Sequence, residues 1–107
     1  MSTHALLVLT TLGSAEEARA FVTGLVEDRL VACGTLLPGA TSVYRWEGAI
    51  SEEPEVVVLL KTDSSKWDEL SAAVADRHPY EVPELLAIPV ERGTDLYLSW
   101  LTSEVVA

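Results

Sequence analysis

The stretch Glu55–Thr62, EVVVLLKT, carries the strongest strand signal in this sequence and decides how the rest is arranged. It contains no proline or glycine, and its β-branched run favours a central position in a sheet. Thr41–Trp46, TSVYRW, alternates between two faces and predicts the preceding strand. The segment between them, Glu47–Glu55, is polar and contains Gly48 and Pro54, which predicts a long hairpin tip.

Three further elements precede this hairpin. Ala5–Thr11 (ALLVLTT) has the length and the apolar content of a buried strand. A capping box that begins at Ser14 predicts a helix over Ala15–Asp28 with one apolar face. Leu30–Leu37 is apolar again and leads into the hairpin, where Pro38-Gly39 predicts a bend or a bulge.

Two helices and a strand follow the hairpin. The second helix is expected to end near Arg77, because a residue that precedes proline is disfavoured in helices. His78–Glu84 (HPYEVPE) predicts a rigid turn, and Leu85–Val90 predicts a strand that the proline within it confines to an edge. Thr94 can cap a final helix. One face of this helix is expected to carry Tyr97, Trp100, Leu101 and Val105.

The order of elements predicts an α+β fold. A βαββαβ sequence followed by a short C-terminal helix is the ferredoxin-like pattern, with two helices over one face of a four-stranded antiparallel sheet. We expect a single domain over residues 1–107. The hairpin strands look long for so small a domain, and a projecting hairpin is expected to pair with another chain. The mean hydropathy of +0.25 also favours apolar surface covered by another subunit.

The charge of the chain is strongly acidic. Seven basic residues against 17 acidic ones give a formal net charge of −10. Such a field repels nucleic acid and anionic membranes and attracts cations, although solubility alone also explains it. Cys33 is the only cysteine, which fits a reducing compartment. No stretch approaches the roughly 20 apolar residues of a membrane span, and the sequence predicts a cytoplasmic protein.

Enzyme motifs are absent from the sequence. It contains no nucleophile elbow, no phosphate-binding Walker loop and no dinucleotide fingerprint. The short Gly13-Ser14 pair before the first helix is too weak a signal for a phosphate site. We therefore expect that the protein is not an enzyme.

Several motifs, in the right order, resemble the CutA divalent-cation tolerance family, and the resemblance runs from about Leu7 to Glu104. It implies a homotrimer of ferredoxin-like subunits whose long hairpin strands pair between subunits, similar to PII-type signalling proteins. It also implies copper or another divalent cation as the ligand, and no accepted enzymatic reaction. The matching segments are Arg29–Cys33 (RLVAC), Leu37–Gly48 (LPGATSVYRWEG), Lys61-Thr62, His78–Glu84 and Tyr97–Trp100 (YLSW).

Cys33 and His78 are the candidate metal ligands. A thiolate is a soft ligand for copper(I) or zinc, but a lone cysteine in an apolar strand is also explained as a small buried hydrophobe. His78 can bind a metal if a trimer brings copies or carboxylates together; alternatively it ends a helix, where its charged form meets the helix dipole. Thr10-Thr11 and Arg77-His78 stand where some members of the resembled family carry a cysteine and two adjacent histidines.

A second candidate site is a cleft between subunits. Tyr80 and Glu81 are held rigid between two prolines, and Lys61 ends an apolar run. Alternatively these residues only pack subunits together, with Lys61 paired to Glu81 or Glu84. Trp46 is a candidate aromatic of the core or the interface. The acidic cluster Glu47, Glu52, Glu53 and Glu55 is either a cation site or a solvated hairpin tip.

The sequence therefore leaves two functions open. The first is a trimeric, cytoplasmic divalent-cation tolerance protein that binds or responds to copper or another metal ion. The second is a PII-like trimeric signalling or scaffold module that binds a small ligand or a partner protein in its intersubunit clefts. Neither function involves nucleic acid or a membrane.

Overall fold

Four strands and three helices build the chain, which the computed structural model describes over residues 3–106. The strand order is β2-β3-β1-β4, and all three neighbouring pairs are antiparallel. This confirms the predicted α+β, ferredoxin-like βαββαβ arrangement and the internal position of β3. The elements are β1 Ala5–Leu12, α1 Ala15–Glu27, β2 Cys33–Trp46, β3 Ala49–Asp63, a 3-10 turn Ser64–Lys66, α2 Trp67–Arg77, β4 Leu86–Pro89 and α3 Asp95–Val105.

One face of the sheet carries the main core. Alternate side chains of β1 and of β3 point to this face. Because the two strands pair in unbroken register, these side chains lie next to each other across the pair. Helices α1 and α2 cover it, and Ser14 caps α1 by accepting a hydrogen bond from the Glu17 backbone N–H at 3.1 Å. The buried residues of this core include Val8, Leu12, Phe21, Val22, Leu25, Val56, Val58, Leu60, Leu70 and Val74.

The opposite face of the sheet, here called the second face, is covered only at one end. There α3 packs Leu101 and Val105 against Ala5 and Ala32. Tyr97 and Trp100, which the sequence predicts on the same face of α3, leave 43% and 41% of their surfaces exposed in the subunit. Much of the rest of the second face is apolar and half-buried or exposed, although Thr35 and Lys61 also lie on it. By register and alternation it includes Leu7, Leu9, Leu37, Val57, Leu59, Leu86 and Ile88.

The hairpin differs most from its predicted form. Its tip is only Glu47-Gly48, and the predicted long tip over Glu47–Glu55 is wrong. Both turn residues have positive φ, 50° and 81°, which fits a two-residue type I′ turn whose twist suits a hairpin. Residues 49–54 continue β3 and pair with Thr41–Trp46. The projecting hairpin fits the elongated dimensions of the molecule, 45 × 25 × 24 Å.

The start of β2 and an irregularity within it also refine the prediction. The strand begins at Cys33 and not at Leu30, because Arg29 turns the chain with a φ of 57°. The predicted interruption at Pro38-Gly39 is confirmed as a bulge, where the register with β3 shifts between Leu37 and Ala40.

Strand β4 is an edge strand, as predicted, because among the described residues it pairs with β1 alone. None of the helices within residues 3–106 combines the length and apolar character needed to cross a membrane.

Candidate functional site

A cavity of about 730 Å³ lies between the hairpin and the turn that follows α2, and we call it the hairpin cavity. Four of the five residues predicted for the cleft line it, whereas Lys61 does not. Lys61 lies six residues beyond Glu55 on β3, roughly 20 Å along the strand. The lining residues are Thr11, Gly13, Ser42, Val43, Tyr44, Trp46, Glu53, Pro54, Glu55, Tyr80, Glu81, Val82 and Glu84.

Glu55 and Tyr80 form the polar centre of the hairpin cavity. The Tyr80 hydroxyl donates a hydrogen bond of 2.8 Å to Glu55 Oε2. Glu55 exposes only 8% of its surface, and within residues 3–106 its carboxylate has no ion-pair partner. Burial raises the pKa of the Tyr80 hydroxyl, and the hydrogen bond and charge of Glu55 raise it further. Tyr80 is therefore a neutral donor at physiological pH.

His78 holds the turn that carries Tyr80. Its Nδ1 accepts a hydrogen bond of 3.1 Å from the Tyr80 backbone N–H, which leaves Nε2 to donate to the Thr11 carbonyl oxygen at 2.8 Å. The ring is buried and packs edge-on against Phe21 and Tyr80, with centroids 5.5 and 4.7 Å away. These contacts use both nitrogens of a neutral imidazole. A metal bound to His78 must displace one of them.

Cys33 and Lys61 lie together at the other end of β2 and β3, where they are register partners. Cys33 is half-buried, and its Sγ lies 3.6 Å from the Tyr97 hydroxyl. This hydrogen bond is the main cause of the raised pKa of Tyr97, and burial adds to it. Lys61 Nζ donates to Thr35 Oγ1 at 2.7 Å. Its predicted pairing with Glu81 or Glu84 is not made within one subunit and stays a prediction for the assembly.

The donor set of a single subunit does not fit a metal ion. Across residues 3–106, no three or more His, Cys, Asp or Glu side chains form a group that could hold one. Tetrahedral metal sites usually need about four ligands. A metal site therefore requires ligands from a second subunit, and the roles of Cys33 and His78 as ligands stay predictions.

Glu55 and Tyr44 are among the nine lining residues of the hairpin cavity that were not part of the predicted cleft. Glu55 belongs to the acidic cluster that the sequence leaves open between a cation site and a solvated hairpin tip. Only the register of the hairpin reveals that it is buried, because the pairing of Ala40 with Glu55 sets it at the foot of the hairpin. Tyr44 lies two residues before Trp46, on the same face of β2, and that spacing is the signal that could have identified it.

Alkaline pH tests the raised pKa that burial and Glu55 give to Tyr80. From about pH 10, an unfolded tyrosine loses its proton while the folded Tyr80 keeps it. The free energy of unfolding must then fall as pH rises, since the folded state binds more protons. We expect a steeper fall above about pH 10 for the wild type than for Tyr80→Phe, measured by urea denaturation. Equal slopes in the two proteins would contradict the raised pKa of Tyr80.

Comparison with known protein families gives a match over nearly the whole chain. The family model described as CutA1 divalent ion tolerance protein matches residues 6–104. The "Divalent-cation tolerance protein CutA" of Thermus thermophilus is 44% identical over 95 residues, which cover 89% of this chain and 92% of that protein.

Solved structures agree with the fold. The crystal structure of CutA from Xylella fastidiosa superimposes with a TM-score of 0.93 at 35% identity, and covers 96% of this chain and 99% of that chain. A structure from Archaeoglobus fulgidus, described as a periplasmic divalent cation tolerance protein CutA, has a TM-score of 0.91 at 35% identity. It covers 94% of this chain and 98% of that chain.

Proposed function

The chain belongs to the CutA1 divalent ion tolerance family, and from this premise we propose that it contributes to tolerance by binding copper or another divalent cation between the subunits of a homotrimer. The observation that carries the proposal is the buried carboxylate of Glu55, which faces the hairpin cavity without a cation partner among the described residues. A buried charge of this kind needs a counter-charge. The formal charge of −10 attracts cations to the surface around it.

Two features of the subunit support the homotrimer. The second face of the sheet is apolar and largely uncovered, with Leu37, Leu86 and Ile88 each about half exposed. Contiguous apolar surface of this kind marks a protein interface. In addition, β2 is an edge strand of 14 residues whose outer edge is unpaired among residues 3–106. Such an edge is a template for a strand of another copy.

The proposal includes neither a reaction nor a membrane. The matched family is named for tolerance to divalent ions and not for catalysis, and we propose that the chain acts by binding. We also propose the cytoplasm as its compartment, because the single half-buried thiol of Cys33 suits a reducing environment. The related protein from Archaeoglobus fulgidus is described as periplasmic, and cell fractionation distinguishes the two locations.

Metal titration tests the proposed function. Calorimetry with Cu²⁺ and Zn²⁺ should detect saturable binding to the wild-type assembly that is tighter than about millimolar. If Cys33 or His78 is a ligand, replacing it with alanine should weaken Cu²⁺ binding by about tenfold or more. Circular dichroism of each variant checks that it remains folded. The absence of saturable binding for every metal would exclude direct metal handling.

The hairpin cavity favours a second candidate, the PII-like module that binds a small ligand. Its volume of about 730 Å³ lies within the usual range of small-molecule sites, roughly 300–1,000 Å³. Aromatic and apolar side chains form much of its wall, and residues 3–106 hold no group of three metal-binding side chains. A thermal-shift screen of organic ligands tests this candidate, because a ligand that binds the native state raises its unfolding temperature.

A further inference from the structure

The turn between α2 and β4 has little backbone attachment to the rest of the subunit. Before it, the His78 backbone N–H closes the last turn of α2 by donating to the Val74 carbonyl oxygen at 2.9 Å. In the described part of the chain, no backbone–backbone hydrogen bond joins residues 79–84 to another segment. The two prolines of this segment have no N–H to donate. Side chains must therefore fix the position of the turn.

One nitrogen of the His78 ring shapes the start of this turn. Its Nδ1 accepts a hydrogen bond of 3.1 Å from the Tyr80 backbone N–H, so that a side chain bonds to the backbone two residues ahead. Asparagine and aspartate commonly make this contact, which is called the Asx turn. A histidine makes it here, with Pro79 between the two bonded residues. This contact alone does not explain why the residue is histidine.

The other ring nitrogen completes the hydrogen bonding of β1 where β4 ends. Strand β4 pairs with β1 only as far as Leu9. On this side of β1 the Ala5 carbonyl oxygen accepts from the Val90 backbone N–H, and carbonyl groups two residues apart along a strand point the same way. The Thr11 carbonyl oxygen therefore points past the end of β4, where His78 Nε2 donates to it at 2.8 Å. The imidazole replaces a backbone donor that β4 is too short to supply.

Both contacts together require one form of the ring. Nδ1 accepts only when it carries no proton, and Nε2 donates only when it carries one, which describes the neutral Nε2–H tautomer. The ring is buried between Phe21 and Tyr80, with centroids 5.5 and 4.7 Å away. A metal ion binds imidazole through a nitrogen without a proton. In this tautomer that nitrogen is Nδ1, which the Tyr80 N–H already occupies.

We propose that His78 is a positioning residue and not a metal ligand: its ring fastens the turn to the end of β1 and so holds the Tyr80 hydroxyl on Glu55. That hydroxyl donates to Glu55 Oε2 at 2.8 Å, and it belongs to the residue whose backbone His78 binds. The inference stands on the geometry of one subunit. It narrows the proposed function, because it leaves a metal site between subunits to other ligands.

Nuclear magnetic resonance of the ¹⁵N-labelled wild-type assembly tests both contacts without a variant. The ring shifts of His78 should report the Nε2–H tautomer. A scalar coupling across the hydrogen bond should join Nδ1 to the Tyr80 backbone nitrogen. An excess of Zn²⁺, which is diamagnetic, should leave the ring shifts and the coupling unchanged. An Nδ1–H tautomer, or a coupling that disappears as Zn²⁺ is added, would overturn the proposal.

Hydrogen exchange of the Tyr80 amide in two variants tests the role of Nδ1. His78→Asn keeps an acceptor for an Asx turn, whereas His78→Gln does not. Exchange in the asparagine variant should stay within about threefold of the wild type, and exchange in the glutamine variant should be about tenfold faster or more. His4→Gln is the matched control, since His4 is exposed and precedes β1, at the end opposite Thr11. Equal exchange in all four proteins would contradict the bond to Nδ1.

Calorimetry with Cu²⁺ separates this inference from the proposed function. His78→Asn should bind Cu²⁺ within about threefold of the wild-type affinity, because no ligand is lost. A loss of about tenfold or more, in a variant whose Tyr80 amide stays protected, would show that the ring is a ligand and overturn the inference. If the wild type binds no metal, the proposed metal site is wrong, whereas the scalar coupling to Tyr80 still establishes the positioning role.

Discussion

Replacing Leu59 with glutamate is expected to break the proposed homotrimer into single subunits. Leu59 lies in the middle of the second face, where its register partners are Leu9 on β1 and Thr35 on β2. In a trimer that buries this face, the substitution introduces an unpaired carboxylate in each subunit. Each carboxylate would cost several kcal/mol if it were buried without a partner.

Sedimentation measures this effect directly. The wild type should sediment near 35 kDa, about three times the 11.6 kDa of the chain, and Leu59→Glu near the mass of one chain. Leu96→Glu is the matched control, because Leu96 is 88% exposed on α3. We expect it to leave the assembly intact. A Leu59→Glu protein that still sediments as a trimer would show that the second face is not the interface.

Gly34→Val is expected to cost about 3 kcal/mol of folding free energy, near the upper end of the usual range for overpacking a core. A Cβ atom at Gly34 would lie 2.6 Å from Val22 Cγ1 and 3.0 Å from Leu60 Cδ2. Real Cβ atoms essentially never approach other atoms as closely as 2.6 Å. Helix α1 must therefore move away from β2, and the two added methyl groups of valine increase the displacement.

Gly24→Ala, within helix α1, carries the opposite expectation. Its Cβ would meet only Arg77 Nη1, at 3.6 Å, which is an ordinary contact. Alanine within a helix should then stabilise the protein by about 0.5–1 kcal/mol. Urea denaturation of both variants at one protein concentration measures the two effects. A Gly34→Val protein as stable as the wild type would contradict close packing between β2 and α1.

The regular elements follow from the sequence because their signals are local. The apolar run of Glu55–Thr62, the capping box at Ser14 and the prolines around Tyr80 each act over a few residues. The extension of β3 from Ala49 to Pro54 could not be predicted in this way. Only three of those residues, Ser51, Glu52 and Glu53, are polar, the segment is largely exposed, and only its pairing with β2 makes it a strand.

The candidate site is harder to predict, because its contacts join distant parts of the chain. Tyr80 meets Glu55 across 25 positions, and His78 meets the Thr11 carbonyl across 67. The sequence suggested His78 as a ligand or as a charged helix end. It contained no sign that the ring would accept from one backbone group and donate to another.

The bulge at Pro38-Gly39 limits how far copies of the chain can associate. A straight, unbroken edge of 14 residues would let strand after strand add along a common axis, which is the geometry of a fibril. The bulge divides β2 into Cys33–Leu37 and Ala40–Trp46, and a bulge bends the strand and increases its twist. Twisting an edge away from a neighbour is one way in which proteins resist edge-to-edge aggregation. The same bend that shapes the hairpin therefore favours an assembly that closes after a few copies over one that keeps growing.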